Sequence, residues 1–261
     1  MEEDILEVED CYTGFAKVYD SFMDNIPYED WFKNLVSILE EEEIRDGLIL
    51  DLACGTGILT EMMQEAGYDM IGLDFSEEML DEARRKGSPG ILYLNQDMRE
   101  FELYGTVRAI YCLCDGMNYL TSKEDVLEVL KLANNYLDPH GIFVFDYKTN
   151  HYFSGLGAQT IVDNRETGCL IWENDYHKET RTNEYLLTIF EQEGEFFVRR
   201  MEEHIQMALE IEEIKVLIKE SGMELVACTK ALSKEAGSEE DDRVYFICRE
   251  QGKHWEGEID G

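Results

Sequence analysis

The chain has 261 residues, with 58 Asp and Glu against 23 Lys and Arg, a formal net charge of −35. Nucleic-acid binding draws on cations that neutralise phosphates, so this balance excludes nucleic acids and anionic membranes as expected partners. Arg84-Arg85 and Arg199-Arg200 read as solvated faces, and no run approaches the ~20 apolar residues of a membrane span.

A hydrophobic content of 44% supports the core of one generous α/β domain, or of a domain carrying an insertion. Residues 12–43 read as helical with a break near Pro27, and Trp31, Phe32, Leu35, Ile38 and Leu39 fall on one stripe. Short apolar runs follow at 47–53, 69–74, 90–94, 106–113 and 141–147, separated by helical patterns at 58–66, 76–87 and 122–137. Ser76 and Ser122 are expected helix caps, each followed by first-turn acids. Gly67, Gly87 and Gly141 are expected where helices stop or strands begin. This alternation predicts a parallel sheet with helices on both faces.

The rhythm breaks at residue 150. No helix is expected over 150–206, where "LIWENDYH", "EYLLTIFEQ" and "EFFVRRMEEHIQ" predict an antiparallel sheet of three or four strands at 159–206. "TIFEQEGEFFV" is its hairpin. A helix over 210–221 ends at Gly222, and two strands, "MELVACTK" and "RVYFICRE", close the pattern. The expected division is an N-terminal helical segment at 1–46, a catalytic domain at 47–150 and 207–250, an insertion at 151–206, and a disordered tail at 251–261. The acidic start "MEEDILEVED" lacks the basic flank and apolar core of a secretion signal. Seven cysteines therefore read as reduced thiols and the expected location is cytoplasmic. Cys112 and Cys114 form a lone C-x-C, so no metal site is expected.

Open α/β sheets bind ligands outside the carboxyl ends of their strands. Those positions hold Asp51 to Gly57, Asp74, Asp97, and Asp115 to Tyr119. "LILDLACGTGILTEMM" lacks the Lys-Ser/Thr of a P-loop and the third glycine of a dinucleotide fingerprint. So many carboxylates suit a ribose, an exocyclic amine and a cationic centre better than a phosphate; S-adenosylmethionine has all three. "ILDLACGTG" resembles the first motif of class I S-adenosylmethionine-dependent methyltransferases, "IGLDFSEEML" the second, and "LNQDMREF" the adenine loop. The resemblance spans about residues 30–250, with about 20 residues between successive acids. "YTGFAKVYDSFM", "PYEDW", "CDGMNYL" and "EEH" resemble a bacterial subgroup similar to small-molecule N-methyltransferases, including those acting on amino sugars. The fold implied is a Rossmann-like α/β methyltransferase with a seven-stranded, mostly parallel sheet and an inserted antiparallel β lid.

The resemblance also implies roles. The backbone of Ala53, Cys54, Gly55 and Gly57 is expected against the methionine portion, with Asp51 near its amino group. Asp74 is expected to accept from both ribose hydroxyls, though a helix N-terminus favours an acid there too. Asp97 is expected at the adenine amine, or is a plain loop acid, with the Met98 backbone at the ring edge. Phe75 and Met79 would bracket the adenine, unless Met79 is helix core. Tyr19, Tyr28 and Trp31 belong to a segment that folds over the cofactor in the resembling group, and Trp31 equally suits helix packing.

Candidate bases are His204, Asp115 and Tyr119. Histidine titrates in the useful range, while His204 beside Glu202 and Glu203 also suits a structural strand position. Asn118, Tyr119 and His204 are expected to orient substrate. The expected function is methyl transfer to a small-molecule acceptor by in-line displacement, by a monomer or homodimer. The alternative is a non-catalytic S-adenosylmethionine-binding module whose acidic surface meets a protein partner.

Overall fold

The computed structural model describes residue 12, residues 14–166 and residues 168–253. The expected tail from residue 254 onward and the acidic start lie outside them. Helix α1 (Ala16–Phe22) and helix α2 (Tyr28–Glu41) are separated at Pro27. There follow β1 (Leu48–Leu52), α3 (Ile58–Glu65), β2 (Asp69–Asp74), α4 (Glu77–Lys86), β3 (Leu92–Asn95), β4 (Val107–Cys112), α5 (Lys123–Tyr136) and β5 (Leu137–Lys148). The expected caps are present. Ser76 Oγ accepts from Met79 N at 3.1 Å and Ser122 Oγ from Asp125 N at 3.0 Å, each satisfying an otherwise orphaned helix N–H.

The chain closes with α7 (Ile211–Glu220), β10 (Glu224–Lys230) and β11 (Arg243–Arg249), after a short helix α6 described below. The main sheet has seven strands in the order β10-β11-β5-β4-β1-β2-β3. β3 through β5 pair in parallel, while β11 runs antiparallel to both β5 and β10. The order reverses between β1 and β4, so a crevice opens at their carboxyl ends. Burial on both faces explains the continuous apolar runs. Leu50 and Leu52 pack into a cluster with Val129, Leu130, Ile214 and Ile218, while Ile49 faces Leu35, Leu39, Leu59 and Met63. Each such fully buried side chain contributes ~1.5–3 kcal/mol relative to exposure.

Two expectations are corrected. Residues 150–206 do contain a helix, α6 (Asn150–Leu156), capped by Thr149 and anchored by the fully buried Phe153; seven residues are too few to show a periodic stripe. Gly141 also does not begin a strand. It lies within β5, where a Cβ would stand 2.9 Å from the Arg108 carbonyl oxygen, so close backbone approach explains the glycine.

The inserted sheet has four antiparallel strands: β6 (Gln159–Arg165), β7 (Gly168–His177), β8 (Thr182–Glu193) and β9 (Phe196–Met207). Gly194 supplies the left-handed turn of the β8–β9 hairpin. Leu187 pairs with Glu202, and Tyr185 with His204. Side chains alternate across a strand, so these four share one face, and all four are buried. Part of that face packs on α1: Phe15 and Phe22 form a cluster with Leu170, Leu187 and Ile189.

Candidate active site

The carboxyl ends of β1, β2 and β4 and the loop after β3 line one cavity of about 400 Å³, within the range of cofactor sites. The turn after β1 forms one wall. Ala53 (φ +63°), Gly55 (φ +55°) and Gly57 (φ +76°) take the left-handed backbone there. A Cβ on Gly55 would meet no protein atom within 4 Å, whereas one on Gly57 would lie 2.5 Å from the Tyr93 hydroxyl. Gly55 thus leaves open space at the cavity wall, and Gly57 serves packing beneath it. Cys54 also lines the cavity, and burial pushes its thiol pKa up, with the charges of Asp51 and Asp74 adding.

Asp51, next to last in β1, is almost fully buried. Thr60 Oγ1 (2.6 Å) and the Tyr111 hydroxyl (2.9 Å) both donate to its Oδ2. Burial raises its pKa to about 7 against those two bonds, and the charge of Asp74 adds to the rise. Asp74 ends β2 and accepts from Gly55 N at 2.7 Å and Ser76 N at 2.9 Å. One carboxylate therefore joins the glycine turn to the start of α4, and burial raises its pKa as well. Asp97 is gripped by Arg99, whose guanidinium and backbone N–H both donate to it, and this lowers its pKa.

Met98, Phe75 and Met79 line the same cavity; Phe75 is 68% exposed and Met79 is buried. Tyr19, Tyr28 and Trp31 reach the cavity from α1 and α2. The Trp31 ring also lies under the Arg243 guanidinium at 5.2 Å.

A second, smaller chamber of about 60 Å³ adjoins the first. Tyr12, Tyr19, Cys114 and Tyr119 line both, and Lys148, Trp172, Tyr185 and His204 wall only the smaller one. His204 is buried, with Nε2 3.0 Å from Glu202 Oε2 and Nδ1 3.1 Å from the Tyr119 hydroxyl. That hydroxyl meets the Tyr12 hydroxyl at 2.5 Å. Burial, then the neighbouring Tyr119, raises the Tyr12 pKa well above the usual phenol value, so it stays protonated.

Two expected roles do not fit this geometry. Asp115 pairs with Lys148 Nζ at 2.6 Å and Arg243 at 2.5 Å. Burial works to raise its pKa, but the two cations outweigh it and hold it at about 2, too low for a proton acceptor near neutrality. Asn118 is fully buried and lines neither chamber. Its amide donates to the Lys148 and Met207 carbonyls (3.1 and 2.9 Å) and accepts from Lys148 N at 2.9 Å, fastening β5 to β9.

Four residues that sequence reasoning missed stand out: Tyr12, Glu202, Lys148 and Arg243. Glu202 has no exposed surface, and its Oε1 accepts from Gly14 N and Phe15 N at 2.6 Å each. Its Oε2 accepts from Tyr12 N at 2.8 Å. A charged residue at an inward-facing strand position was the available signal, legible only once the strand's faces are known.

The residues present fit S-adenosylmethionine. Open space stands at Gly55, carboxylates lie at the carboxyl ends of β1 and β2, and the cavity has the volume required. A sheet of this order with one antiparallel strand, a glycine turn after β1 and an acid ending β2 defines a Rossmann-like, S-adenosylmethionine-dependent methyltransferase.

The chain belongs to the methyltransferase family. A methyltransferase-domain model matches residues 49–141. The putative methyltransferase YqeM of Bacillus subtilis is 35% identical over 239 residues, spanning 90% of this chain and 95% of that one. An S-adenosylmethionine-dependent methyltransferase from Clostridium acetobutylicum superposes with a TM-score of 0.80 at 26% identity, covering 93% of this chain and 100% of its own. A dTDP-3-amino-3,4,6-trideoxy-alpha-D-glucopyranose N,N-dimethyltransferase of Streptomyces venezuelae is 32% identical over 98 residues, 38% of this chain and 41% of its own. The protein is an enzyme, and S-adenosylmethionine is its cofactor.

Proposed function

We propose that this enzyme methylates a small acceptor held in the second chamber, with the inserted sheet and the segment around α1 acting as a lid. The observation that carries the reading is that Tyr12, Tyr19, Cys114 and Tyr119 line both cavities. Cofactor and acceptor would then meet across these four side chains. A chamber of about 60 Å³ takes only the reacting end of an acceptor unless the lid moves. An N-nucleophile is favoured by the partial match to the amino-sugar dimethyltransferase and by a wall of Tyr12, Tyr19, Trp172 and Tyr185, whose ring faces attract cations.

In this reading Asp74 holds the ribose, Asp97 and Met98 the adenine edge, and Asp51 the amino group. The turn at Ala53, Cys54, Gly55 and Gly57 carries the methionine portion, beside Phe75 and Met79, under Tyr19, Tyr28 and Trp31. The cofactor supplies an electrophilic methyl group on a sulfonium, transferred in line to the nucleophile. The chain's own task is alignment and exclusion of water. A protonated nucleophile would release its proton to Tyr119 or His204. The six unpaired cysteines among the described residues suit a reducing, cytoplasmic setting.

The test is release of S-adenosylhomocysteine on incubation with a panel of small amines, hydroxy compounds and carboxylates. Turnover with an amine, lost in Tyr119→Phe by about 10-fold or more with cofactor affinity kept, supports the reading. Methylation of a folded protein, but of no small molecule in the panel, would sink it.

A further inference from the structure

Glu202 lies at the centre of an arrangement that the methyl-transfer chemistry alone does not require. Its two oxygens take four hydrogen bonds: Gly14 N and Phe15 N on Oε1, Tyr12 N and His204 Nε2 on Oε2. A protonated carboxyl would have to donate one bond. Three of these partners are backbone N–H groups, which only donate, and such bonds are stronger to a charged acceptor, which favours the carboxylate over a protonated carboxyl donating to His204 Nε2. An ionised carboxylate can pair with His204 only if Nε2 carries a proton. In the neutral ring Nδ1 is then an acceptor, facing the Tyr119 hydroxyl at 3.1 Å. Glu202 therefore selects the tautomer whose free lone pair faces the chamber shared by Tyr12 and Tyr119. The logic is that of an acid orienting a histidine base.

The same carboxylate fixes the segment that closes the site. Tyr12 and Tyr19, on either side of the clamped backbone, line both chambers. That segment also grips the cofactor side. Thr56 Oγ1, in the turn after β1, donates to Asp20 at 2.5 Å, and Lys86 pairs with Asp20 at 2.6 Å. One end of the segment is thus tied to β9 of the inserted sheet, and its middle to the cofactor turn.

We propose that Glu202 is a positioning residue that makes closure of the N-terminal segment and readiness of His204 a single event. This rests on the small-acceptor reading above only for the part His204 plays. With the segment in place, the carboxylate holds Nε2–H and leaves Nδ1 open. A proton leaving the acceptor passes to the Tyr119 oxygen as the Tyr119 proton moves to Nδ1. The product is an imidazolium paired with the Glu202 carboxylate, so charge is conserved at each transfer. Without the segment, three donors leave Glu202, and the hydrogen bonds that fix its orientation towards His204 are reduced to the one from Nε2.

The experiment compares Glu202→Gln, Glu202→Asp and His204→Gln in the full-length enzyme. Amide hydrogen exchange of residues 14–22 and titration with S-adenosylhomocysteine need no acceptor and report the clamp. The kcat on an amine acceptor reports the base. Circular dichroism establishes that each variant is folded.

Expected for Glu202→Gln is at least 10-fold faster exchange of residues 14–22, at least 5-fold weaker cofactor binding and at least 100-fold lower kcat. His204→Gln should lose kcat similarly, with exchange and cofactor affinity within 2-fold of the parent. Glu202→Asp, which keeps the charge, should recover part of both losses.

Glu202→Gln with unchanged exchange and cofactor affinity overturns the coupling, as does His204→Gln that loosens residues 14–22 as much as Glu202→Gln does. Retention of kcat in His204→Gln, together with loosened exchange in Glu202→Gln, removes the base half of the proposal and counts against the chamber reading. The clamp then stands by itself.

Discussion

The two halves of this site are built by different means. On the cofactor side, Asp51, Asp74 and Asp97 follow successive strands of one parallel sheet, and backbone direction alone brings them to one crevice. On the side proposed for the acceptor, Tyr12, Tyr119, Lys148, Trp172 and His204 come from five separate stretches of chain. They meet only because the inserted sheet and α1 fold back over the main domain. The cofactor side therefore depends on local turns and strand ends, and the acceptor side on long-range hydrogen bonds such as those of Glu202, 187 to 190 residues from its backbone partners.

The sharpest way to break the cofactor half alone is Asp74→Ala. In the proposed reading Asp74 accepts from two ribose hydroxyls, and it also holds Gly55 N at 2.7 Å. Hydrogen bonds to a charged group are worth ~1.5–3 kcal/mol each, so losing two weakens cofactor binding by about 100-fold or more. Isothermal titration with S-adenosylhomocysteine measures it. A change below about 5-fold would show that Asp74 serves only the turn and the α4 N-terminus.

Lys148→Met probes the acceptor half by the opposite route, through stability. Burial works against the Lys148 ammonium, but Asp115 at 2.6 Å outweighs it and raises the pKa. Removing one partner of a buried pair costs ~3–5 kcal/mol because the other charge is stranded. Arg243 still pairs with Asp115 at 2.5 Å, which places the loss near the lower end, with Tm down by about 6–12 °C at ~2–4 °C per kcal/mol. Thermal unfolding should show this drop while cofactor affinity falls less than about 3-fold. A larger loss of affinity would mean the two halves are less separable than the geometry implies.

How much was legible in the sequence follows the same division. "LILDLACGTG", "GLDFSEEM" and the Ser76 and Ser122 caps are local patterns, and β1, α3, β2, α4 and α5 stand within a residue or two of their expected places, whereas β5 begins at Leu137, four residues ahead of the apolar run that signalled it. The inserted sheet was legible as strands, but not which face of β9 points inward. Inward orientation turns "EEH" into a buried Glu202–His204 pair beside an exposed Glu203. Asn118 and Asp115 illustrate the reverse. Their position after β4 suggested chemistry, but partners 30 or more residues away use up the Asn118 amide and neutralise the Asp115 charge.

Proton linkage separates the halves without mutation. Asp51 is raised to about 7, chiefly by burial, against the bonds from Thr60 and Tyr111 and with the charge of Asp74 adding. In the proposed reading the ammonium group of the cofactor pairs with the ionised carboxylate. Below pH 7 binding must first remove the proton, at about 1.4 kcal/mol per pH unit. Cofactor affinity should therefore climb up to 10-fold per unit as pH rises towards 7 and level off above it. Titrations in two buffers of different ionisation enthalpy should show close to one proton released at pH 6 and little at pH 8. Tyr111→Phe removes a bond that stabilises the carboxylate and should move the break upward. A flat profile would place the amino group elsewhere.

The smallest effect is expected at Arg165, where β6 meets the end of α1. Its guanidinium pairs with Asp24 at 2.9 Å through both terminal nitrogens, donates to the Ser21 carbonyl, and lies 5.1 Å over the Phe22 ring. The arrangement looks like a second clamp beside Glu202. It differs in environment, because Asp24 is 62% exposed and water screens the pair. The apolar contact of Phe15 and Phe22 with Leu170, Leu187 and Ile189 stays in place when the charge is removed. Arg165→Ala should therefore leave cofactor affinity and kcat within about 2-fold and lower Tm only slightly, the normal range for an exposed ion pair. If it instead loosened residues 14–22 as strongly as Glu202→Gln, the hold on the α1 segment would be distributed along the whole interface rather than concentrated at one buried carboxylate. Hydrogen exchange on the two variants side by side decides between those pictures.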